Sequence, residues 1–302
     1  MSDHQHHHAG PAAAHDHGAH DHLAHDHGAG GANEAALTEL LDLDGEVLQG
    51  YLSELTGWIA ATASGPVTRI VDLGSGTGTG TLALARRFPG AHVTAVDLEA
   101  GRLYRLTGRA RELGLADRIS TVPADLDQPW PDLAPADLVW ASMALHHVAD
   151  PDQTLARILS LLRPGGSVVI AETTALESFP RFLPDGAADG IEDRVHQLLA
   201  RLLAEQVPEM GTDWPSRLTR AGFTVAAERV FTVALTAPLP AGARRYAQLS
   251  LDRIRTALAD RLDPAGAKTL EVLVAADGPD SLHRRDDLTV RATRLACLGR
   301  RP

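Results

Sequence analysis

The stretch Ile70-Val71-Asp72-Leu73-Gly74-Ser75-Gly76-Thr77-Gly78 limits what this chain can fold into more than any other. Apolar and β-branched residues run into three alternate glycines, and helical spacing resumes behind them. That order predicts a buried strand, a tight turn and a helix. Glycine lets a backbone turn sharply and approach a ligand with no Cβ in the way. Turns of this kind belong to open α/β sheets, where ligands sit beyond the carboxyl ends of the strands. The rest of the chain supports the same class. Strands are expected over 68–73, 91–98, 118–123, 136–141 and 167–172, with helices over 78–87, 99–113 and 151–162 between them. Arg163-Pro164-Gly165-Gly166 is expected to stop the last of these helices. Helical pattern follows over 191–204, then a helix over 214–221, a strand over 223–235, a largely helical 240–287 and a closing strand over 288–298. Two helices, 34–43 and 45–62, precede the core. The second carries Tyr51, Leu52, Leu55, Trp58 and Ile59 on one stripe. That stripe packs on the core or forms a lid lined by Tyr51 or Trp58.

The turn is not that of a dinucleotide site. Counted from Gly74 the sixth residue is Thr79, and from Gly76 it is Thr81, so neither register supplies the third glycine. Asp72 lies two residues before the first glycine, where a negative charge repels pyrophosphate and tolerates a cation. S-adenosylmethionine, with a sulfonium and an ammonium, meets that requirement. Twenty-five residues on, Asp97 ends the second strand, where a carboxylate can accept from both ribose hydroxyls. Asp125 follows the third strand and can accept from an adenine amino group; Asp127 is its neighbour, and an ordinary turn acid is the alternative.

Five stretches carry a resemblance: Val71 to Gly78, Ala95-Val96-Asp97, Pro123-Ala124-Asp125, Ala144-Leu145-His146-His147-Val148 and Leu162-Arg163-Pro164-Gly165-Gly166. In their order and spacing, residues 67–172 resemble the class I S-adenosylmethionine-dependent methyltransferases. The pattern is most similar to the small-molecule enzymes related to ubiquinone and menaquinone biosynthesis. The resemblance implies a Rossmann-like, seven-stranded, mostly parallel sheet with helices on both faces, an antiparallel last strand and helical insertions forming a lid. It implies a cofactor site made of Asp72, Gly74, Ser75, Gly76 and Gly78, of Asp97 and Leu98, and of Asp125 and Leu126. Gly74 and Gly76 would face the methionine portion, Asp97 the ribose, and Asp125 with Leu126 the adenine.

The loop after the fourth strand should lie beside the reactive methyl. Amine-directed nucleic-acid methyltransferases carry Asn/Asp-Pro-Pro-aromatic there, whereas this chain has Ala141-Ser142-Met143-Ala144. His146 and His147 follow and offer a general base, needed if the acceptor is a hydroxyl. Alternatively one packs under the loop and the other caps the next helix near Asp150. Glu172, after the fifth strand, reaches the site or forms a structural salt bridge. Acceptor contacts are expected from two insertions, 178–212 and 240–287. There Arg181, Arg244, Arg245, Arg253 and Arg255 bind an acceptor carboxylate or phosphate, or form a solvated helix face.

Residues 1–32 stand apart from the N-terminal helices (33–66) and the methyltransferase-like region (67–302). Ten of the fifteen histidines lie between His4 and His27, six of them in three pentads built on His15 and His17, His20 and His22, and His25 and His27. The segment has almost no large apolar side chains and is expected to be disordered. Imidazole and carboxylate together favour weak binding of a divalent metal such as Zn, Ni or Cu on this tail; no metal site is expected in the folded core. The net charge of −11 argues against nucleic acid as the partner. No apolar run approaches the ~18 residues of a membrane span, and no secretory signal stands at the N-terminus. With the single Cys297 excluding an internal disulfide, a cytoplasmic protein is expected. The leading expectation is methylation of a small-molecule acceptor, on oxygen or carbon. A protein or peptide methyltransferase, or a metal-handling protein with a non-catalytic cofactor-binding core, are the alternatives.

Overall fold

The computed structural model describes residues 30–173, 179–207 and 209–302. The histidine pentads, His15 to His27 among them, lie outside the described residues. Helices α1 (Gly30–Val47) and α2 (Gln49–Thr62) lead into β1 (Arg69–Leu73). There follow α3 (Thr79–Arg87), β2 (His92–Asp97), α4 (Ala100–Glu112), β3 (Ile119–Pro123), β4 (Ala136–Ser142), α5 (Pro151–Leu161) and β5 (Leu162–Glu172). The chain ends with α6 (Ala187–Gln206), α7 (Trp214–Arg220), β6 (Thr224–Leu235), α8 (Ala243–Ala257), α9 (Pro264–Val274) and β7 (Val290–Arg300).

The strands form one seven-stranded sheet in the order β3-β2-β1-β4-β5-β7-β6. β7 runs antiparallel to both neighbours, and the pairs from β3 through β5 are parallel. Four of the five residues of β1 are buried, as a parallel strand covered on both faces requires. One face carries Leu55, Ile59, Leu82, Leu106 and Trp140 under α2, α3 and α4. The other carries Leu155, Ile158, Trp214 and Leu218 under α5 and α7. Strand order reverses between β1 and β4, which pair Asp72 with Trp140. The turn after β1 and the loop after β4 therefore face each other across the crevice where such sheets bind ligands.

A third apolar cluster sits beyond the sheet. Phe182, Val195, Leu199, Tyr246, Leu251, Leu270 and Leu273, from the insertions, pack with Val47 and Leu48 and with Val290 and Ala292 of β7. Three of the helices begin with an aspartate cap. Asp150, Asp213 and Asp263 accept from Gln153, Ser216 and Gly266 N–H at 2.9, 3.1 and 2.6 Å, each with proline in the first two helical positions.

Among the boundaries that differ from expectation, two do so for a physical reason the structure shows. The break between α1 and α2 falls at Leu48 rather than near Asp44. Gly45 does not end the helix: it lets α1 approach Thr79, whose Cγ2 a Cβ there would meet at 2.4 Å. Helix α5 stops before its proline-glycine stretch, because Leu162 is already extended (φ −70°, ψ 146°). Gly165 (φ 76°) instead turns the start of β5, and its N–H donates to Arg301 O at 3.0 Å. No helix among the described residues is long and apolar enough to cross a membrane.

Candidate cofactor and methyl-transfer site

The glycine turn is held from below by strand β2. Gly74 and Ser75 N–H donate to Val96 O at 2.9 and 3.0 Å, and Gly78 N–H donates to Ser75 O at 2.9 Å. Gly74, Gly76 and Gly78 all have positive φ (68°, 55° and 86°). Two of them also need the missing side chain. A Cβ on Gly74 would lie 2.5 Å from Ala144 Cβ in the β4 loop, and one on Gly78 would lie 2.1 Å from Leu106 Cδ1 of α4. Above Gly76 sits Leu41 of α1, 3.6 Å from where a Cβ would be, so α1 roofs the turn. The hydroxyls of Ser75, Thr77 and Thr79 are buried and find no hydrogen-bond partner among the described residues. A buried hydroxyl left so costs about 1–3 kcal/mol. Thr79, the first residue of α3, lies against Gly45 of α1, whereas the hydroxyls of Ser75 and Thr77 within the turn suit a polar ligand lying on it.

Asp97 ends β2 at 6% exposure. Its Oδ2 accepts from Gly76 N–H at 2.7 Å and its Oδ1 from Glu99 N–H at 3.0 Å. A carboxylate oxygen has two lone pairs, so one on each remains for a diol. Leu98 beside it is half exposed. The β3 loop is tied alongside by Ala124 N–H on Asp97 O at 3.0 Å. There the two acids divide their work. Asp127 Oδ1 accepts from Ala149 N–H at 2.8 Å and ties the β3 loop to the β4 loop, whereas Asp125 Oδ1 accepts from Asp127 N–H at 2.9 Å and its Oδ2 makes no such tie. Leu126 packs on the cluster of Val96 and Leu145.

Asp72 is placed differently from a residue that meets a ligand's charge openly. It is 1% exposed, and its Oδ2 accepts from Thr81 Oγ1 at 2.5 Å on the first turn of α3. Burial pushes its carboxyl up to about 7, opposed by the Thr81 bond and reinforced by the Asp97 charge. It therefore anchors α3 under the turn, and its charge varies around neutral pH.

Across the crevice, Glu172 at the end of β5 organises the β4 loop. Its Oε1 accepts from Ala144 and Leu145 N–H at 3.0 and 3.1 Å, and its Oε2 lies 2.6 Å from His146 Nδ1. Both side chains are buried, at 2% and 5% exposure. An ionised Glu172 makes Nδ1 the donor, and in the neutral imidazole the lone pair is then on Nε2. His147 is exposed, with its ring 4.0 Å from that of His146. Asp150, not His147, caps α5. Met143, at the tip of β4, has φ 53°, a left-handed conformation that a non-glycine residue adopts at a cost of order 1–3 kcal/mol.

Of the stripe on α2, Tyr51 and Trp58 both pack edge-on against Phe231 of β6, at 5.7 and 6.0 Å. The stripe is core, although the buried Tyr51 hydroxyl has no hydrogen-bond partner among the described residues. Four of the arginines proposed for the acceptor are engaged with Asp193 (Arg181), Asp286 (Arg244), Glu39 (Arg245) and Asp252 (Arg255). Arg253 instead is within electrostatic reach of Arg102 and Glu34. Glu34, Leu41 and Arg102 escaped the sequence reading; they meet only because α1 folds back over α4. Among the described residues no group of three or more His, Cys, Asp or Glu is placed to hold a metal ion.

Comparison with known proteins agrees with this geometry. Residues 70–166 match the family described as a methyltransferase domain. The chain is 43% identical over 120 residues to a demethylmenaquinone methyltransferase of Clavibacter sepedonicus, covering 38% of this chain and 46% of that protein. It is 33% identical over 181 residues to a malonyl-[acyl-carrier protein] O-methyltransferase of Laribacter hongkongensis, covering 56% and 54%. The chain thus spans about half the length of these relatives. A crystal structure from Bacillus halodurans C-125, provisionally classed as a methyltransferase, shares the fold at a TM-score of 0.52 and 16% identity, covering 82% of this chain and 98% of that one. Residues 70–166 of this chain are a methyltransferase domain of the class I, S-adenosylmethionine-dependent kind.

Proposed function

We propose that this protein transfers the methyl group of S-adenosylmethionine to a small-molecule acceptor, on oxygen or carbon, and releases S-adenosylhomocysteine. The observation that carries this reading is the pairing of a glycine turn rich in unpartnered hydroxyls with an Asp97 carboxylate that keeps one lone pair free on each oxygen. The turn would hold the methionine portion, Asp97 the ribose, and Leu98, Asp125 and Leu126 the adenine. S-adenosylmethionine supplies a methyl already activated by the sulfonium charge, so positioning is most of what the protein adds. His146, fixed by Glu172 through Nδ1, would take the proton of a hydroxyl acceptor through Nε2. The names of the two relatives, a demethylmenaquinone methyltransferase and an O-methyltransferase of malonyl on an acyl-carrier protein, support an acceptor other than a nucleic acid. The net charge of −11 supports the same choice.

The reading is tested by incubating the protein with donor carrying a tritiated methyl group and fractionated cell extract. Label is expected in the small-molecule fraction, accompanied by S-adenosylhomocysteine. Label confined to protein or RNA would overturn the choice of acceptor, and no S-adenosylhomocysteine in any fraction would overturn the activity.

A further inference from the structure

Asp97 is not alone at the end of β2. Arg102, in the first turns of α4, is 8% exposed, and its Nη1 lies 3.9 Å from Asp97 Oδ1. Its Nε and Nη2 donate to the two carboxylate oxygens of Glu34 on α1, at 2.9 and 3.1 Å. Arg253 of α8 is within electrostatic reach of the same pair, and its guanidinium is held below the usual arginine range by burial first and by Arg102 second, with Glu34 opposing. A buried guanidinium keeps a carboxylate partner wherever one is in reach, since the unpaired charge is costly. Here there are two candidates, Glu34 and Asp97. The fork to Glu34 is the geometry that arginine and carboxylate prefer.

We propose that Glu34 is a positioning residue for the cofactor site: by holding Arg102 in a two-bond fork it keeps that guanidinium off Asp97, whose outward lone pairs stay available to the ribose hydroxyls. The proposal rests on the reading of Asp97 as the ribose-binding group. Asp97 already accepts one backbone N–H on each oxygen, so a guanidinium drawn onto it competes directly with a diol. Glu34 lies on the helix that places Leu41 over Gly76. Seating α1 and freeing Asp97 are therefore one event, and an undocked α1 leaves Arg102 to close the ribose site.

The test is calorimetric titration of S-adenosylhomocysteine into the full-length wild type, Glu34→Gln, Arg102→Met and the double variant, each checked by thermal melting. Glu34→Gln is isosteric and half exposed, so it leaves the fold intact. It is expected to weaken binding about fivefold on its own and by less than about twofold where Arg102 is already replaced. Should Arg102→Met not fold, Arg102→Gln serves as the second background. Unchanged affinity in Glu34→Gln would overturn the proposal. So would the same loss in both backgrounds, which would mean that Glu34 only seats α1. A wild type that binds no S-adenosylhomocysteine would overturn the cofactor reading itself, and this proposal with it.

Discussion

At the scale of single residues, the site divides its carboxylates by environment. Asp97 meets the crevice, Asp72 is sealed beneath the turn, and Glu172 is spent on two backbone N–H groups and His146. The sealed position has a pH signature. Because the folded state raises the Asp72 carboxyl to about 7 from 3.8, the native protein holds a proton there that the unfolded chain has given up. Stability therefore falls as pH rises from about 4 to about 7 and levels off above, by up to about 4 kcal/mol. Asp72→Asn, which can still accept from Thr81, should gain stability relative to wild type across that window in urea melts; a constant difference from pH 5 to pH 8 would contradict the assignment. The two histidines should separate cleanly. With an identified hydroxyl acceptor, His146→Ala is expected to lower kcat by about 10²-fold or more, while His147→Ala stays within about threefold. Equal, small effects would remove the base from the mechanism.

At the scale of elements, the glycine turn is a packing device as much as a ligand cradle. Gly78→Ala forces a Cβ onto Leu106 at a φ of 86°, and should destabilise by about 2–4 kcal/mol, read as a lower urea midpoint with or without cofactor. Much of this layer was legible beforehand. The strand-turn-helix at Val71–Gly78, and the places of Asp97 at the end of β2 and Asp125 just after β3, announced themselves through local pattern. Local pattern is also what misled: Gly45 looks like a helix break and Gly165 like a helix stop, yet one is there for the approach to Thr79 and the other turns the start of β5. Glycine signals that a side chain is unwelcome, without saying whether geometry or a neighbour forbids it. Nor could spacing show that Glu172 would be a buried partner of His146 rather than a surface acid.

At the scale of the molecule, what the sequence concealed is the joining of distant segments. Helix α1 is tied to α4 by Arg102–Glu34, Arg105–Asp42 and Arg109–Asp42, and to α8 by Arg245–Glu39 and the Tyr246–Asp44 bond. No periodicity relates residues so far apart in sequence. A roof tied in part by part-exposed ion pairs is sensitive to screening. Amide exchange over 34–47 should accelerate several-fold between about 0.1 and about 1 M salt, with β1 and β4 unchanged; uniform exchange behaviour would show that apolar contacts hold α1 instead. All of this presupposes that the crevice takes S-adenosylmethionine, and one experiment tests that most directly: calorimetric titration of S-adenosylmethionine into wild type and Asp97→Ala. The account predicts binding by the wild type and a loss of about 100-fold or more in the variant, the worth of two hydrogen bonds to a charged group at about 1.5 kcal/mol each. A wild type that binds nothing, or a variant that binds as well as wild type, would contradict it.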